Sequence, residues 1–403
     1  MSKNLRIFQL NSIGPINHIS IMATKLADAT DKAAEMTDER LIKDFGCEPL
    51  DNAILERWEK VTGKKPHMFM RRGLYFAHRE LKQILDAKEQ GKPIFIYTGR
   101  GPSSDALHLG HLCPFIINKY IQDALDCYFI IQVTDDEKFM RDKELTWEQI
   151  QAYTDSNIKD ILAMGFNPEK TFIMRESKHH NINAPFLAQL SRLMTLHVIQ
   201  SIFGFTEQHS VGYVVFPAKQ IAPAFGAYFS SIFTHNSKDL YCLIPCGREQ
   251  DPYFRYAREL ANRMKIKRPC TIYGRFIPAL QGNKKMTASS QDSAIYLTDT
   301  PEQIRHKIID CAHTAWTPAG ANLDEDVVYQ YLAAFLDDDQ QLDDIKRRYG
   351  PGELKEGENR MTVEEIKEIL IKVLSDLVLG HQERKSKVTN EMMEQFEKRP
   401  VWN

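Results

Sequence analysis

Three things are scarce in this 403-residue chain: excess charge of one sign, paired cysteines and long apolar runs. The 52 lysines and arginines are nearly matched by 54 aspartates and glutamates, for a net charge of −2. No global basic field advertises nucleic acid, so any RNA contact has to use local patches. The seven cysteines (Cys47, Cys113, Cys127, Cys242, Cys246, Cys270 and Cys311) are odd in number and include no C-x-x-C pair. Cys242 and Cys246 suggest half of a zinc site whose other half is missing. Buried thiols in a reducing compartment are therefore expected, rather than zinc or disulfides. No run reaches transmembrane length and no secretory apolar region follows the start, so no membrane partner is expected and the cytoplasm is the expected location. Residues 1–27 lack acids and carry Lys3, Arg6 and Lys25, a faint transit-peptide pattern; one arginine and Pro15 fit a flexible tail better. No internal repeat is visible. The length allows two domains and a sizeable core.

The stretch that organises the rest is residues 94–111, IFIYTGRGPSSDALHLGH. Ile94–Thr98 is a short β-rich apolar run and predicts a buried strand. Gly99, Gly101 and Pro102 break it. Leu107, Leu109, Leu112, Phe115, Ile116, Tyr120 and Ile121 then recur at helical spacing, and Tyr128–Val133 predicts the next strand. This is a βαβ unit with a glycine turn at the carboxyl end of its first strand, where open α/β sheets hold ligands. The glycines let a phosphate or adenine approach the backbone, and the helix start behind them offers N–H groups to an anion. His108 and His111 fall one helical turn apart on one face, with Gly110 between them. They suit a polyphosphate, and taken alone the pair reads equally as satisfied core histidines. A metal pair would need a third ligand that the sequence does not place nearby, so no metal centre is expected.

Further strands are expected at Thr171–Met174 and Leu240–Pro245, and Val211–Ala227 reads as strand-like, then rich in small residues. QVTDDEK (132–138) sits at the end of the second strand and faces the same crevice. Three acids in a row ordinarily form a solvated turn, whereas Gln132 and Glu137 could meet a ligand's N–H or ammonium group. Thr146-x-x-Gln149 predicts a capping box, and Leu187–Phe203 a long apolar helix within a helical insertion over about 140–205. Arg263, Lys265, Lys267 and Arg268 form a local basic patch, either a binding surface or a solvated face. Beyond residue 300 the pattern is helical only. Thr300-Pro301 starts a helix, and Thr362-x-x-Glu365 caps an amphipathic one. Asp337–Asp339 reads as solvated. Lys346, Arg347, Arg348, Arg384, Lys385 and Lys387 give this half a basic rim. The fold expected is α/β: a loose arm over 1–36, a Rossmann-like parallel-sheet domain over 37–300 and a helical domain over 301–403.

H-x-G-H at 108–111 and KKMTASS at 284–290, in that order, resemble the paired signatures of class I aminoacyl-tRNA synthetases. With TGKKPHMFMRRGLYFAHR, QVTDDEK, FPAKQIAPAF, IPCGREQDPYFR and IYLTDTPEQI, they resemble the tryptophanyl-tRNA synthetases of the eukaryotic cytosolic and archaeal type over roughly residues 37–400. Tyrosyl-tRNA synthetases share the two phosphate signatures. The resemblance implies ATP-dependent activation of L-tryptophan and its transfer to tRNA-Trp, by a homodimer whose helical half binds the anticodon. It implies that His108, His111 and Lys285 stabilise charge on the phosphates, with Mg²⁺ screening the rest. Thr98, Gly99, Arg100 and Gly101 would line the ATP site with Gly110 and Lys138, and Met286, Thr287 and Ser289 would join them from the late signature. Tyr97 and Gln132 would meet the indole N–H; Glu137, Gln220 and Gln250 would hold the α-ammonium end. Two departures stand out. Ala288 occupies the place of a second lysine, leaving Lys138 or Arg100 to supply that charge, and Glu249 stands where aspartate is common. Tyrosine activation, a non-catalytic RNA-binding or signalling paralogue and a plain nucleotidylyltransferase remain as other readings. An indole-suited Gln132, the intact His108, His111, Lys285 and Gly99, and the helical half weigh against them in turn.

Overall fold

The computed structural model describes residues 37–179, 182–234, 237–286 and 291–402, with the backbone alone at 283–285 and 291. The arm expected over 1–36, and Thr287, Ala288 and Ser289, lie outside the described residues.

A seven-stranded sheet carries the chain in the order β1-β2-β7-β6-β3-β4-β5. The strands are β1 (Glu48–Pro49), β2 (Tyr75–Arg79), β3 (Ile94–Arg100), β4 (Tyr128–Val133), β5 (Thr171–Arg175), β6 (Tyr241–Gly247) and β7 (Cys270–Gly274). From β7 to β5 all pairs are parallel; β1 and β2 add an antiparallel edge. The expected Rossmann-like α/β sheet is thus present. Its central strands read as unbroken apolar runs because both faces are covered. The chain leaves β3 for β4 and β5 on one side, then returns to β6 and β7 on the other. The carboxyl ends of β3 and β6 therefore flank a topological switch point.

Three local expectations change. Val211–Ile221 is a helix, not a strand: Ser210 accepts from the Tyr213 N–H, and Gly212 lets it lie against Met140. Capping outweighs the β-propensity of VGYVVF. The long helix over Leu187–Phe203 is two, Ala184–Leu193 and Leu196–Phe203, because Met194 is extended and Thr195 caps the second. The insertion is not helical throughout, since β5 lies inside it.

One face of the sheet packs Phe129 and Ile131, with Phe115 of the Leu109–Leu125 helix, into a core that continues through Ile304, Tyr331, Leu370 and Leu374. The other packs Phe95, Ile130 and Phe172 against Phe186, Phe225 and Leu260. The helical half therefore shares the first core rather than owning a separate one. Polar ties reinforce the junction. Asp160 meets His381 at 3.0 Å and Lys385 at 2.9 Å. Asp339, read as solvated, instead accepts from Arg71 at 2.5 Å, Arg72 at 2.7 Å and Lys65 at 3.2 Å. Arg72, foremost among them, holds the Asp339 carboxyl well below the usual carboxylate range. Arg72 also donates to the Leu336 carbonyl at 2.6 Å. Cations of the 263–268 patch are engaged within the chain: Arg263 with the Leu193 carbonyl and Lys267 with the Tyr241 hydroxyl, both half-buried, and the exposed Arg268 with Glu80.

Candidate active site

At the carboxyl end of β3, Gly99 is the one exposed residue in an otherwise buried strand. A side chain there would meet only the Gln132 carbonyl, at 3.9 Å, so a flat ledge of backbone faces the crevice. At Gly101 the reason for glycine is a close approach. A Cβ would collide with Lys138 Cε, because the lysine stem lies across the turn. Its ammonium pairs with Glu137 at 3.0 Å. Gly110 is confined less severely: a Cβ would sit 3.1 Å from the His108 ring and 3.2 Å from Met286 Sδ.

His108 occupies the N-cap position of the Leu109–Leu125 helix with extended backbone, and His111 lies in its first turn. Their rings stack with centroids 3.6 Å apart. The Leu109 N–H donates to the Ile295 carbonyl at 3.0 Å, and the Leu297 N–H to the Leu107 carbonyl at 2.9 Å. The start of this helix is thereby sewn to the segment that follows the late signature. Lys285 ends the hairpin strand Gly282–Lys285, paired with Pro278, and Met286 is buried against the His108–Gly110 turn. Two motifs far apart in sequence thus meet at one crevice.

Beside this ledge lies a second subsite. Tyr97, buried, donates its one hydroxyl proton to either Gln132 Oε1 at 2.6 Å or the Gln220 carbonyl at 2.9 Å. Gln132 Nε2 donates to Glu176 Oε1 at 2.6 Å and the Lys219 carbonyl at 3.1 Å. Phe254 meets the Tyr97 ring edge-on. Glu137 is buried beside Thr134, and Gln250, at the end of β6, donates to Glu249 at 3.3 Å. The Glu249 carboxylate curls back over Gly247. The crevice thus offers a bare ledge for a nucleotide, cations and imidazoles for its phosphates, and beside them a buried aromatic cluster rich in hydrogen-bond acceptors.

The family model for "tRNA synthetases class I (W and Y)" matches residues 88–368. The chain belongs to this family. It is an aminoacyl-tRNA ligase. It is 43% identical over 368 residues to the cytoplasmic tryptophan–tRNA ligase of Dictyostelium discoideum, covering 89% of this chain and 90% of that protein. The tryptophanyl-tRNA synthetase of Giardia lamblia superposes with a TM-score of 0.82 at 42% identity, over 92% of this chain and 98% of that one. A tryptophanyl-tRNA synthetase from Encephalitozoon cuniculi, bound to tryptophan, superposes with a TM-score of 0.81 at 38% identity, over 90% and 98% of the two chains.

Most of the synthetase's expected site residues converge, with qualifications. Lys138 lies across the Gly99–Gly101 turn that follows Thr98, while His108, His111 and Met286 gather at Gly110. Arg100 does not point to the ledge. Its side chain is buried and donates to Asn157 at 2.8 Å, and burial, against the pull of Asp160, lowers its pKa to about 10. It is removed as a source of the second cation. Gln220 offers its carbonyl to Tyr97. The acids of QVTDDEK are not a solvated turn: Asp135 is 0% exposed and Glu137 is 5% exposed. Sequence reasoning missed Asn157, which also donates to the Ser104 carbonyl at 2.8 Å and so holds the glycine turn. Its signal was there, as an amide among Ile150, Thr154, Ile158 and Ile161 on a buried helix face. Glu176, missed as well, had no such signal.

Proposed function

We propose that this crevice activates L-tryptophan with MgATP and passes it to tRNA-Trp in the cytoplasm. The tryptophan carboxylate attacks the α-phosphorus, a P–O bond forms, and pyrophosphate leaves. A hydroxyl of the terminal adenosine then attacks the acyl carbon and AMP leaves. Such transfers run on alignment and charge stabilisation more than on acid–base chemistry. His108, His111, Lys138 and Lys285 stabilise the phosphate charge, and Mg²⁺ arrives on the triphosphate as part of the substrate. Thr287 and Ser289 of the late signature line the same ATP. Glu137, Gln220 and Gln250 receive the α-ammonium end, and Tyr97 with Gln132 receives the indole N–H. The observation that supports this reading is that Met286 of the late signature packs on the Gly110 turn of the early one, on the sheet whose neighbouring strands carry the Tyr97–Gln132 pair. Pyrophosphate exchange into ATP is expected with tryptophan and to be negligible with tyrosine or no amino acid. Exchange driven by tyrosine at a comparable rate would favour the tyrosine branch.

The helical half binds the tRNA anticodon. Much of its expected basic rim is engaged internally: Arg347 with Glu358, Arg384 with the Ala163 carbonyl, Lys385 with Asp160 and Lys387 with Glu383. Lys346 is exposed. Lys346→Glu is expected to weaken tRNA charging, lowering its salt dependence by about one unit of log–log slope. Exchange should stay unchanged, and an equal loss of both would refute the assignment.

The protein works as a homodimer. Val211 (81% exposed) and Val215 lie one turn apart on one helix face, and Leu196 is exposed on the preceding helix. Large exposed apolar patches mark interfaces. The double variant Val211→Asp, Val215→Asp should run at half the wild-type mass in light scattering; an unchanged mass would place the interface elsewhere.

A further inference from the structure

We propose that Glu176, together with the Lys219 carbonyl, locks the Gln132 amide so that its oxygen faces the amino-acid pocket. Glu176 is then a positioning residue that sets preference for a substrate N–H. The inference rests on the reading that Tyr97 and Gln132 form the indole subsite.

A glutamine amide has two orientations of nearly equal shape, and only its hydrogen-bond partners choose between them. Here both Nε2 protons have acceptors, Glu176 Oε1 at 2.6 Å and the Lys219 carbonyl at 3.1 Å. The opposite end, Oε1, accepts from Tyr97 at 2.6 Å. Turning the amide over would lose both donor bonds and set its oxygen against two other acceptors. With the Tyr97 proton directed to the Gln220 carbonyl, Gln132 Oε1 is open to an indole N–H.

The carboxylate is an expensive choice for this position. Glu176 is 2% exposed, and burial pushes its pKa up to about 7; nearby Asp136 and Asp135 add to the rise, while Gln132 and Lys219 oppose it. Lys219 Nζ lies 3.9 Å from Glu176 and 2.6 Å from Asp136 Oδ2, so one ammonium serves both acids. Glu176 is also held rigidly. It directly follows β5, which pairs with β4 so that Met174 lies beside Gln132. Asp135, at the start of the helix that follows β4, accepts from the Ser177 N–H at 3.0 Å.

The test compares L-tryptophan with its benzothiophene analogue, in which sulfur replaces the indole N–H without changing the outline. The full-length chain is assayed by pyrophosphate exchange, and the ratio of the two kcat/KM values is the readout. A site built around a hydrogen bond can reject an analogue lacking it by about 10⁴–10⁵. Glu176→Met keeps the shape but removes the acceptor, and the ratio should fall by roughly tenfold or more. Glu176→Gln still accepts and should keep the ratio within about threefold of wild type. General loosening would lower both substrates together and leave the ratio alone. Should the methionine variant fold poorly, Glu176→Leu gives the same readout. Gln132→Leu separates the two levels of the argument. If it leaves the ratio unchanged, the indole-subsite reading fails. If it collapses the ratio while Glu176→Met does not, the positioning role is overturned, as it also is if Glu176→Gln loses as much as Glu176→Met.

Discussion

Lys138→Ala is expected to slow adenylate formation by about 10²–10³-fold, the usual cost of removing one preorganised charged or donor group from such a site. Tryptophan binding should barely change, since the loss falls on the transition state. The late signature has Ala288 in place of the second lysine found in related signatures, so another cation has to serve. Two neighbours could supply it by sequence, and the structure separates them. The Lys138 stem lies across Gly101, whereas Arg100 turns inward to Asn157. Arg100→Ala should therefore cost stability first, by leaving the buried Asn157 Oδ1 without its donor. Lys285→Ala should match Lys138→Ala in size, and Ala288→Lys should add little. Gly101→Ala, which displaces the lysine stem, should slow the step in the same direction with an unchanged melting temperature. Pre-steady-state adenylate formation decides it. A near-normal rate for Lys138→Ala, or a large gain for Ala288→Lys, would refute the assignment.

Asp135→Ala should be the most destabilising single change in the QVTDDEK segment, costing about 3 kcal/mol, the lower end for breaking one side of a buried ion pair. The carboxylate accepts from Arg175 Nε at 3.2 Å, Gln151 Nε2 at 3.2 Å, the Ser177 N–H at 3.0 Å and the Ser177 hydroxyl. Its loss leaves Arg175, 4% exposed, with less negative charge around it. Asp155 at 2.7 Å and Glu397 at 3.4 Å still face Arg175, which is why the upper end is not reached. Asp136→Ala breaks a more accessible pair with Lys219 and should cost less. Urea unfolding at constant m-value measures both. A loss below about 1 kcal/mol for Asp135→Ala, the range of exposed pairs, would show that the cluster is not the anchor its burial suggests.

Much of the catalytic frame was legible because it depends on local rules. β3, β4, β5 and β6 lie where apolar runs end in glycine or polar residues, and β4 has the expected bounds, Tyr128–Val133. The capping box at Thr146 and the helix starts at Thr300 and Thr362 formed as their spacing implied, the latter two also as capping boxes. What failed depends on partners that sequence distance hides. Val211–Ile221 reads as strand by composition and becomes helix through Ser210 and the Met140 contact. Asp339 reads as solvated because its three cations come from residues 65–72. Glu176 is an ordinary acid after a short strand, and nothing nearby announces that Gln132 will meet it. The site was readable where one motif carries it, and unreadable where its supports come from other strands.

The shared core bears on how the chain is made. Phe115, Phe129 and Ile131 emerge from the ribosome early, while Leu370, Leu374 and Val378, which belong to the same cluster, come near the end. At a synthesis rate of about 5–20 residues per second, roughly 12–48 s separate Ile131 from Leu370, and until then that face has only its earlier helices, such as Leu109–Leu125, to pack on. Contacts this distant in sequence also slow folding once synthesis is complete. That part of the core closes only once the Val363–Ser386 helix is made. Substitutions in that helix should lower the yield of soluble enzyme before they alter any rate constant.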